Sequence, residues 1–273
     1  MGKLELLCDI KNILGEGPYY KNGVYSFLDI KGKKLYLFDG VLKTILFEEM
    51  ISAAIPLNDS NGYLVFGETT IYLYRNSKIE EYKKINNIVK KGMRPNDAKA
   101  DALGRVWFST IMDDGSDPEG ALYCLYNNEI KFIEETKLGN GIVFNKDNTK
   151  FFFADSAKHK VFSYDFDLEK GIISNPKVLF DVVDGVPDGM SMDINDNLFV
   201  AIWGGGRVEI RSSSNGFLTD TIKIPTKLVS SCTFNNDELI ITTASIEKHD
   251  KYAGKVYKIK TKYKGKEEYS PSL

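Results

Sequence analysis

VPDGMSMDINDNLFVAIWGGGRV, residues Val186 to Val208, decides the fold. Read from Asp188, it runs as a polar residue, an alternating stretch, Asp193 five places on, an Asn/Asp turn, and the apolar run Leu198 to Ala201. Alternation marks a half-buried strand, and the Asn/Asp cluster marks a tight turn into the next one. The order recurs from Asn96 (NDAKADALGRVWFST), with Asp101 five places on and a turn at Gly104, and from Asn140 (NGIVFNKDNTKFFFAD), with Asn145 and a turn at Asp147 and Asn148. Weaker copies start at Ser230 (SSCTFNNDELIIT), Ser52 (SAAIPLNDSNGYLVFG) and Glu16 (EGPYYKNGVYSFLD). The starting positions 16, 52, 96, 140, 188 and 230 are separated by 36, 44, 44, 48 and 42 residues. That is the period of a four-stranded propeller blade, so the expected fold is all-β, a six-bladed β-propeller formed by residues 1–273 as one domain.

The segments between the copies agree. KKLYLFDG, TIYLYRN, ALYCLYNN, KVFSYDFD and GKVYKIKT are rich in aromatic and β-branched residues and alternate as strands do. No long segment carries apolar residues at helical spacing. Lys3 to Cys8 is expected to pair with the C-terminal strands and close the ring, which removes exposed sheet edges. The tail Lys258 to Glu268 reads as a solvated charge run.

A net charge of −2 gives no electrostatic reason to expect a nucleic-acid partner. No stretch approaches the roughly 18 apolar residues of a membrane span, and the N-terminus lacks the pattern of a signal peptide, so a cytoplasmic protein with no membrane partner is expected. Cys8, Cys124 and Cys232 are odd in number and scattered, which fits reduced packing thiols.

Equivalent positions of a closed radial repeat lie at equivalent depth, so Glu16, Ser52, Asn96, Asn140, Asp188 and Ser230 should ring the channel mouth. Four of them carry carboxylate or amide oxygens. Their convergence calls for a compensating positive charge, and a divalent cation is the simplest one. Oxygen donors suit Ca²⁺, Mg²⁺ or Mn²⁺, and two carboxylates with open positions also admit Zn²⁺. His159 and His249 are the only histidines and fall in outer loops, which argues against a histidine-built zinc site. Gly204 to Gly206 joins two strands with no helix following, so it reads as a turn and not a phosphate loop. GMSMD around Ser191 is no nucleophile elbow.

GEGP at Gly15 to Pro18, RPND at Arg94 to Asp97, NGIVFNKDNTKFFFADS after Gly139, and the opening stretch together resemble the regucalcin and gluconolactonase (LRE-like) family of six-bladed propellers over nearly the whole chain. The resemblance implies one divalent cation, Ca²⁺ first among the candidates, held by Glu16, Asn140 and Asp188. It implies that Arg94 and Asn96 hold a small-molecule substrate, a sugar lactone, and that Asp188 acts as catalytic acid/base. A substrate-binding Glu of the family has Glu119 or Asp117 as its counterpart in a shortened loop, and Tyr19 and Tyr20 replace the family's Trp after GEGP. A phosphotriesterase and a non-catalytic calcium-binding propeller are the alternative functions. Asp113, Asp114 and Asp117 near the mouth favour hydroxylated substrates.

Overall fold

The computed structural model describes residues 2–58, 62–89, 92–112, 119–245 and 250–273. Strands are numbered β1 to β24 in chain order, and they form six four-stranded antiparallel sheets, the blades of a β-propeller. The innermost strands are β2 (Gly15–Lys21), β6 (Ile51–Pro56), β10 (Met93–Ala100), β14 (Gly139–Phe144), β18 (Val186–Met192) and β22 (Val229–Asn235). Each packs against the next, and β22 packs back against β2, so the ring is closed. β1 (Glu5–Cys8) pairs with β24 (Val256–Lys260), placing the first and last strands in the sixth blade as the sequence led one to expect.

The repeated sequence positions have distinct structural jobs. The residue five places on folds the turn that ends the inner strand. Asp101 accepts from the backbone N–H groups of Leu103 and Arg105, and Asp193 from those of Asn195 and Asn197. Asp101 also takes the Arg105 guanidinium at 2.6 Å and the Trp107 indole at 3.0 Å, so its burial is fully compensated. Asn22 and Gly23, both at positive φ, make the tight hairpin turn of the first blade.

Six apolar clusters fill the six gaps between neighbouring blades. Trp107 of blade three, fully buried, packs against Phe144, Phe151 and Phe166 of blade four at ring separations of 6.1, 5.4 and 5.7 Å. All three cysteines are free; burial pushes the Cys124 and Cys232 thiols up to about 12, which keeps them as packing groups.

The C-terminal tail corrects the sequence reading. Beyond β24 it does not run along a solvated edge but crosses the propeller face where the inner strands end. Gly265 bonds Asn236 of blade six, Lys266 bonds Met192 of blade five, and Ser272 bonds Gly104 of blade three. The Tyr269 hydroxyl accepts from Asn148 of blade four, and Ser270 takes the Lys21 ammonium of blade one. Glu268 meets Lys99 at 2.7 Å with the two side chains only 16% and 8% exposed, and the Lys99 ammonium also lies 4.6 Å from the Tyr19 ring. Within the run Lys260, Lys262, Lys264 and Glu267 stay exposed, as a solvated charge run would, while Glu268 and the residues after it meet partners distant in sequence.

Removing one partner of a buried pair strands the other charge, so Glu268→Ala should cost about 3 kcal/mol in urea unfolding, whereas the exposed pair Lys150–Asp165 should contribute less than about 1 kcal/mol. Equal losses for Glu268→Ala and Lys150→Ala would refute the Glu268–Lys99 contact of the tail as a buried, stabilising one.

Candidate active site

In every blade the register between the first and second strands shifts at or beside the repeat's starting position. The shifts fall between Glu16 and Tyr19, Ile51 and Ala53, Pro95 and Ala98, Asn140 and Ile142, Pro187 and Met190, and Val229 and Ser231. A bulge re-aims the side chain beside it, here from the sheet face toward the axis. At Gly141, with φ at +30°, a Cβ would stand 2.5 Å from the Asp188 carbonyl oxygen, so the fourth and fifth blades meet this closely only without a side chain there.

Two of the six positions are turned away from the axial space. The Ser52 hydroxyl donates to the Phe66 carbonyl at 3.3 Å, and the Ser230 hydroxyl donates to the Gly15 carbonyl. The other four, Glu16, Asn96, Asn140 and Asp188, line one cavity of about 280 Å³ together with Arg94. The structure therefore brings together five of the six residues singled out in the sequence. Glu119 is not among them: it is exposed and lines a separate hollow with Met93, Glu135 and Lys137. Asp113, Asp114, Asp117 and His249 lie outside the described residues.

The polar groups are linked across three blades. Arg94 Nη1 donates to the Pro95 carbonyl at 3.0 Å and to Asn96 Oδ1 at 3.1 Å. Asn96 Nδ2 donates to the Gly139 carbonyl at 3.0 Å and to Asn140 Oδ1 at 2.7 Å. Asn140 Nδ2 donates to Ser156 Oγ at 2.8 Å, and that hydroxyl donates to the Pro187 carbonyl at 2.6 Å. The last bond fixes the Asn140 amide with its oxygen turned from Ser156 toward Asn96.

The carboxylates show the electrostatic cost of convergence. Burial, then the charge of Asp97, pushes Glu16 up to about 8 against the pull of the Gly17 N–H and Arg94. Glu16 keeps partial solvent access only because it lines the cavity. Burial, then Glu16 and Asp97, raises Asp188 well above the carboxylate range, with the Gly189 N–H opposing. Sequence reasoning missed Asp97, which burial raises to about 6 against the nearby Lys99. Strict alternation gives each strand one axial residue per step, and only the bulge admits a neighbour. Among the described residues no three His, Cys, Asp or Glu side chains gather as a metal cluster; beside Glu16 and Asp188 the cavity wall carries the Asn140 amide. Two carboxylates destabilised by burial and by each other, with an oriented amide oxygen, fit a hard divalent cation.

Residues 14–245 match the family model described as the SMP-30/Gluconolactonase/LRE-like region. The chain belongs to this family. A Bacillus subtilis (strain 168) protein named provisionally as the sugar lactone lactonase YvrE is 29% identical over 260 residues, covering 90% of this chain and 88% of its own. Regucalcin of Danio rerio is 29% identical over 261 residues, covering 89% and 87%. A solved luciferin-regenerating enzyme superposes with a TM-score of 0.93 at 28% identity over 100% of both chains. The six-bladed fold agrees with that membership. Tyr19 is buried and donates its hydroxyl to the Ala98 carbonyl at 3.1 Å.

A carboxyl whose folded value is raised holds its proton more tightly when folded, so its contribution turns unfavourable as pH rises past the unfolded value. For Glu16 that window runs from 4.5 to about 8. Chelator-treated protein should lose urea stability relative to Glu16→Gln across this window, and a divalent cation should restore it at the alkaline end. A wild-type minus Glu16→Gln difference that stays flat with pH would contradict the assignment.

Proposed function

We propose that this protein is a divalent-cation-dependent lactonase that adds water across the ring ester of a lactone and releases the hydroxy acid. The observation carrying this reading is that Glu16, Asp188 and the Asn140 oxygen open on the same cavity as Arg94. Glu16, Asn140 and Asp188 would hold the cation, with Ca²⁺ the first choice and Mg²⁺, Mn²⁺ or Zn²⁺ the alternatives. Bound there, a divalent cation supplies Lewis-acid polarisation of the ester carbonyl and stabilises the oxyanion that develops on it.

Asp188 is the base. As the water oxygen bonds to the carbonyl carbon, the carboxylate accepts the water's proton; the ring C–O bond then breaks, and the proton passes to the departing ring oxygen. Burial raises the proton affinity of Asp188 above that of an exposed carboxylate, which suits that task. Arg94 orients the substrate by charge-assisted hydrogen bonding from the cavity wall. Both amide hydrogens of Asn96 are committed, so its part is to position Arg94 and Asn140 and not to grip substrate directly. The names of the relatives point to sugar lactones, while the chemistry at the ring ester is common to any lactone.

The test is hydrolysis of a lactone panel by cation-stripped protein with each cation added back, beside Asp188→Asn and Asp188→Ala. One cation should restore turnover, and both variants should lower kcat/KM by at least roughly 100-fold. Full turnover by Asp188→Asn would remove the base assignment. Cation binding without turnover of any lactone would leave a cation-binding propeller in place of an enzyme.

A further inference from the structure

Two places before each position of the polar ring, one step nearer the mouth, stands a second ring: Leu14, Met50, Arg94, Leu138, Val186 and Leu228. Arg94 is its one polar member. Leu14, Leu138 and Val186 reach the cavity, and Ile30, Ile111 and Trp203 join them from the ends of second strands. The wall above the polar floor is therefore apolar on several sides. Among the described residues the only hydroxyl lining the cavity is that of Ser156, which already accepts from Asn140 and donates to Pro187.

This wall discriminates between ring substituents. A sugar lactone must strip water from several hydroxyls and leave them against Leu, Ile, Val and Trp side chains, and each unpartnered hydroxyl weakens binding by roughly tenfold. An alkyl substituent gains there instead, by about fourfold for each methylene removed from water. Arg94 and the floor serve the ring ester, which both substrates share. Resting on the lactonase reading, we infer that the favoured substrate is a lactone bearing a short apolar substituent and not a polyhydroxylated sugar lactone. This reverses the preference for hydroxylated substrates suggested by the acidic mouth loop. The volume, about 280 Å³, suits a single ring with a short chain.

The experiment compares three δ-lactones with the cation-loaded protein: unsubstituted δ-valerolactone, a δ-lactone with a three- to five-carbon alkyl chain, and gluconolactone. Non-hydrolysable lactams of the last two are titrated in parallel, with binding read from the fluorescence of Trp203, the cavity-lining member of the protein's 2 tryptophans. The alkyl lactone should exceed gluconolactone in kcat/KM by at least tenfold, and the alkyl lactam should bind more tightly by a similar factor. Val186→Thr, nearly isosteric, and Leu138→Asn should each narrow both ratios. Turnover of δ-valerolactone with gluconolactone equal to or better than the alkyl lactone overturns this inference and leaves the lactonase reading standing. If none of the three is hydrolysed the lactonase reading fails, and the lactam titration still decides the wall's preference: tighter alkyl binding upholds it, equal or weaker binding rejects it.

Discussion

Like charges held apart from water at one axis are the constraint on which the molecule depends. The six bulges turn side chains inward at one level, and the ring of inner strands gives them little room to turn away. Ser52 and Ser230 escape by bonding to backbone, but Glu16 and Asp188 do not, and Asp97 adds a third carboxylate behind them. Arg94 and Lys99 are the nearby counter-charges, and the Lys99 charge is shared with Glu268 of the tail. The unbalanced remainder is what a divalent cation, in the function proposed, would offset. Structure elsewhere, from interblade aromatic packing to the tail across the far face, holds these groups in the unfavourable proximity that their chemistry requires.

Much of this was legible in the residues. The period gave six blades because each blade repeats one order of turn and strand, and the phase gave Glu16, Asn96, Asn140 and Asp188 because equivalent phase means equivalent depth. The residue five places on was legible as part of the pattern, and its work as a turn organiser appears only in the hydrogen bonds of Asp101 and Asp193. Arg94 came from the family pattern, since nothing local distinguishes it from a solvated arginine.

The misses share a cause. Glu268 lies 169 residues from Lys99, so its local surroundings suggested water where the fold supplies a buried ammonium. Asp97 was hidden because a bulge breaks the two-residue alternation on which strand reading relies. Glu119, taken with Asp117 from the family resemblance, stands outside the cavity, since the resemblance does not set side-chain direction at the end of a shortened loop. The apolar second ring was present in the letters at fixed phase, yet a run of Leu and Val reads as core until a cavity is seen beside it.

The pairing of β1 with β24 also sets a timetable. Ribosomal synthesis delivers Glu16 early and Asp188 much later, and the ring that holds both closes only when β22 of the sixth blade packs against β2. Until the sixth blade has emerged, β2 and β18 lack the inner strand β22 that packs against both. Such long-range closure is slow to form, and the carboxylates stay solvated while it waits. A chain cut short before residue 256 lacks β24, the strand that ties β1 into the sixth blade.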